Sequence, residues 1–292
     1  MNQDQKREFK EKGYLQLKNF VPKEIIEYLA QKVDEELVAN KDEFGAQLNR
    51  LKYNFLSDDA KVLDFVNTAD FQRTLGGLTE KDLFYIQGIG FEIKEKYDSG
   101  FPWHIGKGSF TYQFLEDYGC TLWIPLAKIN TKKQHGGMAY VPKNVISGEF
   151  AYQLFQGSFQ YLSRETDMET AKKKYYDMNK LSSIEDFLEF YKVEDDFELG
   201  DALLFDKYVL HRSNMLYEGE IKKRSAFVMR FIDVNSRFDQ KRVDNYNAIS
   251  QVAGIKSNSK LNESLSLKDG DLIIKSSYLK DNFDKKLISR HI

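Results

Sequence analysis

Apolar residues recur with a helical period from Pro22 to about Asn40, where Ile25, Ile26, Leu29, Val33 and Leu37 fall on one stripe behind a proline in the first turn. A second, shorter helix is predicted over Asp58 to Leu75. Beyond it the pattern changes to short apolar or alternating runs bounded by Gly and Pro, which is how strands read. They cover roughly Leu83 to Lys96, Cys120 to Ile129, Gly137 to Val141, Ala202 to His211 and Ser225 to Val234. Helices packed outside such a set of strands predict a mainly β fold with flanking helices, a double-sheet jelly roll. The stretch of about 143–198 departs from this pattern: EFAYQLFQGSFQYL, ETAKKKYYDMNKL and SIEDFLEFYKV are patterned for helix and rich in Tyr and Phe. It is expected as a mostly helical insertion, either packed on the sheet by its aromatic stripe or closing the mouth of the barrel as a lid. After Arg237 the chain turns polar, and KSNSKLNESLSLKDGD predicts an exposed loop, with Asn245, Tyr246 and Leu272 to Ile274 placed to cover a pocket.

Composition narrows the class. A chain of 292 residues with 41% hydrophobic content fits one domain spanning 1–292, because sandwich and barrel cores with added helices often run this long. A net charge of −2 gives no electrostatic reason to expect nucleic acid or an anionic membrane surface as a partner. No run of 18 apolar residues reads as a membrane span, and the charged start MNQDQKREFKEKG is unlike a signal peptide. The single cysteine, Cys120, excludes an internal disulfide and falls in an apolar run, so a core role and a reducing, cytoplasmic setting are expected. Gly88-Ile89-Gly90 is no dinucleotide loop, since Ile93 stands where the third glycine belongs.

The candidate chemistry lies in four histidines: His104, His135, His211 and His291. His104 follows a strand-like run and a Gly/Pro turn, and His211 closes the apolar run opened by Gly200-Asp201. Both therefore sit near strand ends, from which a side chain reaches a barrel mouth. His135-Gly136-Gly137 reads instead as a hairpin turn. A mononuclear Fe(II) site needs two histidines and a carboxylate on one face of the metal, with the other positions open. Each histidine taken alone is more often a structural residue than a ligand.

Five segments carry a resemblance: GYLQLKNFVPKEIIEYLAQKV, SGFPWHIG, TLWIPLAKINTKKQHGGMAYVPKN, GDALLFDKYVLHRSN and KKRSAFVMRFI. In this order, from about residue 13 to 232, they resemble the phytanoyl-CoA dioxygenase-like branch of the Fe(II)/2-oxoglutarate dioxygenases. The resemblance implies a double-stranded β-helix of the cupin-like kind, with iron held by His104 and His211. It implies that Arg224, thirteen positions after His211, holds the distal carboxylate of 2-oxoglutarate, a task suited to a planar guanidinium and not to lysine. Ser213 resembles the hydroxyl that shares that carboxylate, and Trp123 an aromatic pocket wall. Dioxygen is the implied cosubstrate, and the substrate a small molecule, either free or presented on a carrier protein.

The chain departs from the family at Gly106, where the pattern His-x-Asp or His-x-Glu becomes His-x-Gly. Within the superfamily His-x-Gly and His-x-Ala are associated with halogenases, in which chloride binds iron in the vacated position. Arg230, six residues beyond Arg224, falls where such enzymes carry a second arginine near the halide. The expected reaction is thus Fe(II)/2-oxoglutarate-dependent chlorination of an unactivated C–H, with Gly106 and Arg230 setting the outcome. Three alternatives stand beside it. Another carboxylate, Glu116, Asp117 or Asp206, reaches the iron; a hydroxylase runs on two histidines and water; or the chain is a non-catalytic relative that keeps the pocket without the metal.

Overall fold

A computed structural model of the chain describes residues 3–39, 50–95, 102–106, 109–153, 167, 169–170, 173, 184–252 and 265–291. Its strands are β1 (Tyr14–Leu17), β2 (Arg50–Tyr53), β3 (Leu83–Lys94), β4 (Gly119–Pro125), β5 (Met138–Val141), β6 (Val193–Glu194), β7 (Ala202–Asp206), β8 (Leu210–Ser213), β9 (Lys223–Asp233) and β10 (Leu287–Ile288). The helices are α1 (Gln3–Lys12), α2 (Lys23–Ala39), α3 (Ala60–Val66), α4 (Ala69–Thr79), α5 (Glu185–Tyr191) and α6 (Gln240–Val252). The larger sheet runs β1-β7-β4-β9-β3-β10, with β2 also on β3, and the smaller runs β6-β5-β8.

Alternation along β9 gives the larger sheet two different faces. Phe227, Met229 and Phe231 join Cys120, Leu122 and Leu204 in a core with Ile25, Leu29 and Val33 of α2 and Phe71 and Leu75 of α4. This is the apolar stripe read in the sequence, and Cys120 lies buried within it. On the other face Ala226, Trp123, Leu203 and Phe205 pack with Met138 and Tyr140 of β5 in the smaller sheet. Two sheets facing each other across this second core, with helices outside, make the jelly roll that the strand pattern predicts.

Several boundaries differ from the sequence expectation. The helix expected over Asp58 to Leu75 is two helices, because Asn67 closes α3 and the Thr68 hydroxyl caps α4 by accepting from the Phe71 N–H. The strand expected to Ile129 stops at Pro125, which has no N–H to give to a ladder. The strand expected over Ala202 to His211 is broken at Lys207-Tyr208-Val209 into β7, in the larger sheet, and β8, in the smaller. Asp206 makes the break: its carboxylate accepts from the Tyr208 N–H at 2.8 Å and its carbonyl from the Val209 N–H at 3.2 Å. The apolar run continues across the break because Val209 joins Leu203 and Phe205 in the inner core, while Leu210 of β8 is buried with Trp103, Ala139 and Val141. His135 (φ 61°) and Gly136 (φ 81°) turn the chain into β5, and His135 bridges to Leu216 instead of closing a hairpin.

The polar stretch after Arg237 holds α6, opened by Asp239, whose carboxylate accepts from the Arg242 N–H at 2.9 Å. Much of the KSNSKLNESLSLKDGD loop, and the middle of the expected helical insertion, on which the lid reading falls, lie outside the described residues. Helix α5 and the segment at Tyr152 are described parts of the insertion that bear on the site. Among the described residues no helix is long and apolar enough to cross a membrane.

Candidate active site

His104 and His211 meet across an antiparallel bridge that extends the smaller sheet beyond β8. Each backbone N–H donates to the other's carbonyl at 2.9 Å, and the two rings lie 4.2 Å apart between centroids. A second feature is common to both. His104 Nδ1 lies 2.7 Å from the Pro102 carbonyl and His211 Nδ1 lies 2.8 Å from the Val209 carbonyl, each two residues back. A carbonyl accepts and never donates, so each Nδ1 carries the proton and each Nε2 presents its lone pair. A histidine that binds metal through Nε2 needs this tautomer. Burial, followed by the neighbouring His104 and Arg230, holds His211 well below the ordinary histidine value, which favours the neutral, coordinating form. Phe205 packs on the His211 ring at 4.6 Å.

No set of three His, Cys, Asp or Glu side chains gathers on one point among the described residues. The carboxylates considered as substitutes are engaged elsewhere. Glu116 and Asp117 pair with Arg237 at 2.6 and 3.0 Å, and Asp206 pairs with Lys143. Gly106 itself is packed for a reason the sequence does not reveal. A Cβ there would meet Phe110 Cδ2 at 3.0 Å and the Lys207 carbonyl at 3.3 Å, while a Cβ at Gly119 would meet the other edge of the same ring at 2.8 Å. Two glycines thus make room for one fully buried phenylalanine. Arg230 lies over that ring, 6.0 Å from its centroid, and donates from Nη1 to Gln87 at 3.1 Å. A register shift in β3 between Tyr85 and Gln87 puts Gln87 opposite Arg230.

Arg224 is the most telling cation in the fold. It is 0% exposed, and its Nε donates to the Gly136 carbonyl. Phe91 and Trp123 stack on its guanidinium at 4.9 and 5.4 Å. Its two terminal nitrogens, Nη1 and Nη2, are buried without a hydrogen-bond partner, and burial pushes the group down to about 9. Each such orphan costs about 1–3 kcal/mol unless something accepts from it. Nη1 and Nη2 form an end-on fork matched to a carboxylate. Ser213 stands opposite Met138, beside the Gly136-Gly137 segment that anchors Arg224. Trp123 and Phe205 belong to one core, so the guanidinium and the histidine pair share a compartment.

Sequence reasoning did not find Glu189, on α5. Its carboxylate accepts from Trp103 Nε1 at 2.8 Å and from Arg212 Nε and Nη2 at 2.7 and 3.0 Å. Trp103 precedes His104 and Arg212 follows His211, and the guanidinium also sits 5.3 Å over the indole. One side chain therefore clamps both flanks of the histidine pair. Arg212, its first hydrogen-bond partner, pulls the Glu189 carboxyl down to about 2. Nothing in the pattern around Glu189 points to this, since the clamp closes over 86 residues.

No protein-family model matches the sequence, and no curated protein matches it. Solved structures do. The non-heme alpha-ketoglutarate-dependent carbocyclase SnoK from nogalamycin biosynthesis is similar over 93% of this chain and 93% of its own, with a TM-score of 0.61 at 14% identity. The non-heme alpha-ketoglutarate-dependent epimerase SnoN, from the same biosynthesis, is similar over 92% and 91%, with 0.57 at 12%. EctD from S. alaskensis, crystallised with 2-oxoglutarate and 5-hydroxyectoine, is similar over 82% and 78%, with 0.55 at 14%. Identities this low speak for architecture alone: the chain has the jelly-roll fold of these alpha-ketoglutarate-dependent proteins.

Proposed function

We propose that this protein is an Fe(II)/2-oxoglutarate-dependent oxygenase-type enzyme acting on a small molecule, and that its reaction is halogenation. The observation that carries the first part is the buried Arg224 fork, unsatisfied at Nη1 and Nη2, in the same compartment as two histidines whose Nδ1 atoms are both committed to backbone carbonyls. His104 and His211 would hold the metal. Arg224, helped by Ser213, would hold the distal carboxylate of 2-oxoglutarate, and Trp123 and Phe91 would keep water from that grip. Bound iron, with 2-oxoglutarate and dioxygen, would supply the oxidising power to functionalise an unactivated C–H. No protein acid or base is needed for this; the chain's part is to place the carbon.

Halogenation rests on Gly106, which offers the metal no carboxylate, and on Arg230 behind Phe110, a partly buried cation suited to balancing chloride. A hydroxylase completed by water is the second reading, favoured by the packing of Phe110 against Gly106, which explains the glycine without a halide. Two measurements decide. Arg224→Lys should weaken 2-oxoglutarate binding by about tenfold or more, since charged hydrogen bonds contribute roughly 1.5–3 kcal/mol; unchanged affinity rejects the cosubstrate site. The anaerobic Fe(II)/2-oxoglutarate complex should have a chloride-dependent visible spectrum, and turnover should place chlorine or bromine in the product according to the salt supplied. Hydroxylated product alone in saturating chloride overturns halogenation in favour of the second reading.

A further inference from the structure

Arg224 is not the only buried guanidinium with unmet donors. Arg242, near the start of α6, is 2% exposed, and its Nε and Nη1 have no hydrogen-bond partner. It stacks 3.8 Å from the centroid of Tyr152. Lys207, 1% exposed, lies against the same ring at 5.3 Å, its ammonium donating to the Phe114 carbonyl at 3.2 Å. Burial, with Arg242 as the next cause, pushes Lys207 down to about 7. Two like charges are therefore buried together against one aromatic ring.

The acids near them act on the pair from a distance but are bound to other groups. Asp117 and Glu116 are bound to Arg237, and Asp206 to Lys143. Asp239 spends Oδ1 on the Arg242 backbone N–H, and burial raises its carboxyl, which disfavours the charged form. Further unmet donors lie close by. The buried Tyr112 hydroxyl has no partner, and neither does the Asn245 amide nitrogen, which stands three residues after Arg242 on the same helix face. A buried cation pair with spare donors, whose neighbouring acids are engaged elsewhere, is a costly arrangement unless an anion completes it.

We propose that Arg242 and Lys207, with Tyr112 and Asn245, form a buried oxyanion subsite that takes a carboxylate, sulfate or phosphate group carried by the substrate. Its place in the fold supports this role. The Lys207 carbonyl accepts from the Gly106 N–H at 3.1 Å, and the Tyr152 hydroxyl donates to the Phe110 carbonyl at 3.0 Å. The subsite therefore abuts the loop that carries His104, on the far side of Phe110. Its use by a substrate rests on the reading of the histidine pair as a metal site; its affinity for an anion does not.

The test uses the full chain and inorganic probes. At matched ionic strength, low-millimolar sulfate, phosphate or acetate should raise the Tm saturably above the chloride control, well below the concentrations at which sulfate stabilises proteins generally. Arg242→Met, apolar and of similar length, should abolish that shift. Its own Tm without anion should stay level or rise, because the variant removes an uncompensated charge. Lys207→Met provides the second arm, with a reduced shift. Oxyanions that act no differently from chloride, or an undiminished shift in Arg242→Met, overturn the proposal. 2-Oxoglutarate titration separates it from the cosubstrate assignment: Arg242→Met should bind 2-oxoglutarate as wild type does, and Arg224→Lys should keep the sulfate shift. Loss of 2-oxoglutarate binding in Arg242→Met with retention in Arg224→Lys would assign the cosubstrate to this pocket and overturn both.

Discussion

The two faces of β9 use the same backbone for opposite purposes. Its outward residues, Phe227, Met229 and Phe231, bury in an apolar core between sheet and helices. Its inward residues include Arg224 and Arg230, both buried enough for the guanidinium to be held below its ordinary value. The outward face stabilises the fold, while the inward face holds cations whose donors are incompletely met, at a cost in stability. Such a cost is expected where a fold carries a preformed site for an anion.

The comparison breaks first if the outward face is not where stability lies. Phe231→Ala removes a ring that packs against Phe71 and Tyr85 and should cost about 3–5 kcal/mol. Urea denaturation would show this as a lowered midpoint, with 2-oxoglutarate affinity of the folded protein unchanged. A cost near zero would mean that the helices contribute little.

On the inward side the expected effect is smaller and has a specific remedy. Gly106→Ala places a methyl against Phe110 and the Lys207 carbonyl, an overpacking of about 1–3 kcal/mol. Phe110→Leu in the same chain should recover part of it, a coupling that a double-mutant cycle measures. Additive effects would show that the ring and the glycine are independent.

The smallest effect sharpens the picture at the edge of the site. Glu189 is held down at about 2 against an ordinary 4.5, so its carboxylate stabilises the fold above that ordinary value and loses the contribution as pH falls toward 2. Its side chain is 36% exposed, and screening keeps the contribution under about 1 kcal/mol. Wild type should therefore lose Tm more steeply than Glu189→Gln on acidification through this window. Fe(II) affinity at neutral pH should drop in the variant as the flanks of His104 and His211 loosen. Parallel acid profiles with unchanged Fe(II) affinity would make the clamp incidental.

The sequence by itself determined the parts that depend on local periodicity. The α2 stripe, the strands at β3, β4, β5 and β9 and the jelly-roll class all follow from which residues along one segment must leave water. Motif order also placed His104, His211, Arg224 and Trp123 as one group, and the fold gathers them in one compartment. Tertiary structure decided the rest. The split of 202–211 between two sheets left no trace in hydrophobicity, because the residues on both sides of the break are buried, though in different clusters. The Glu189 clamp and the meeting of Lys207 with Arg242 join segments far apart in the chain, and the packing of Phe110 between Gly106 and Gly119 depends on how one irregular loop closes on itself. A local pattern records only whether a residue is buried; which distant group it meets, and whether its charge is balanced there, is set by how the sheets and helices close around it.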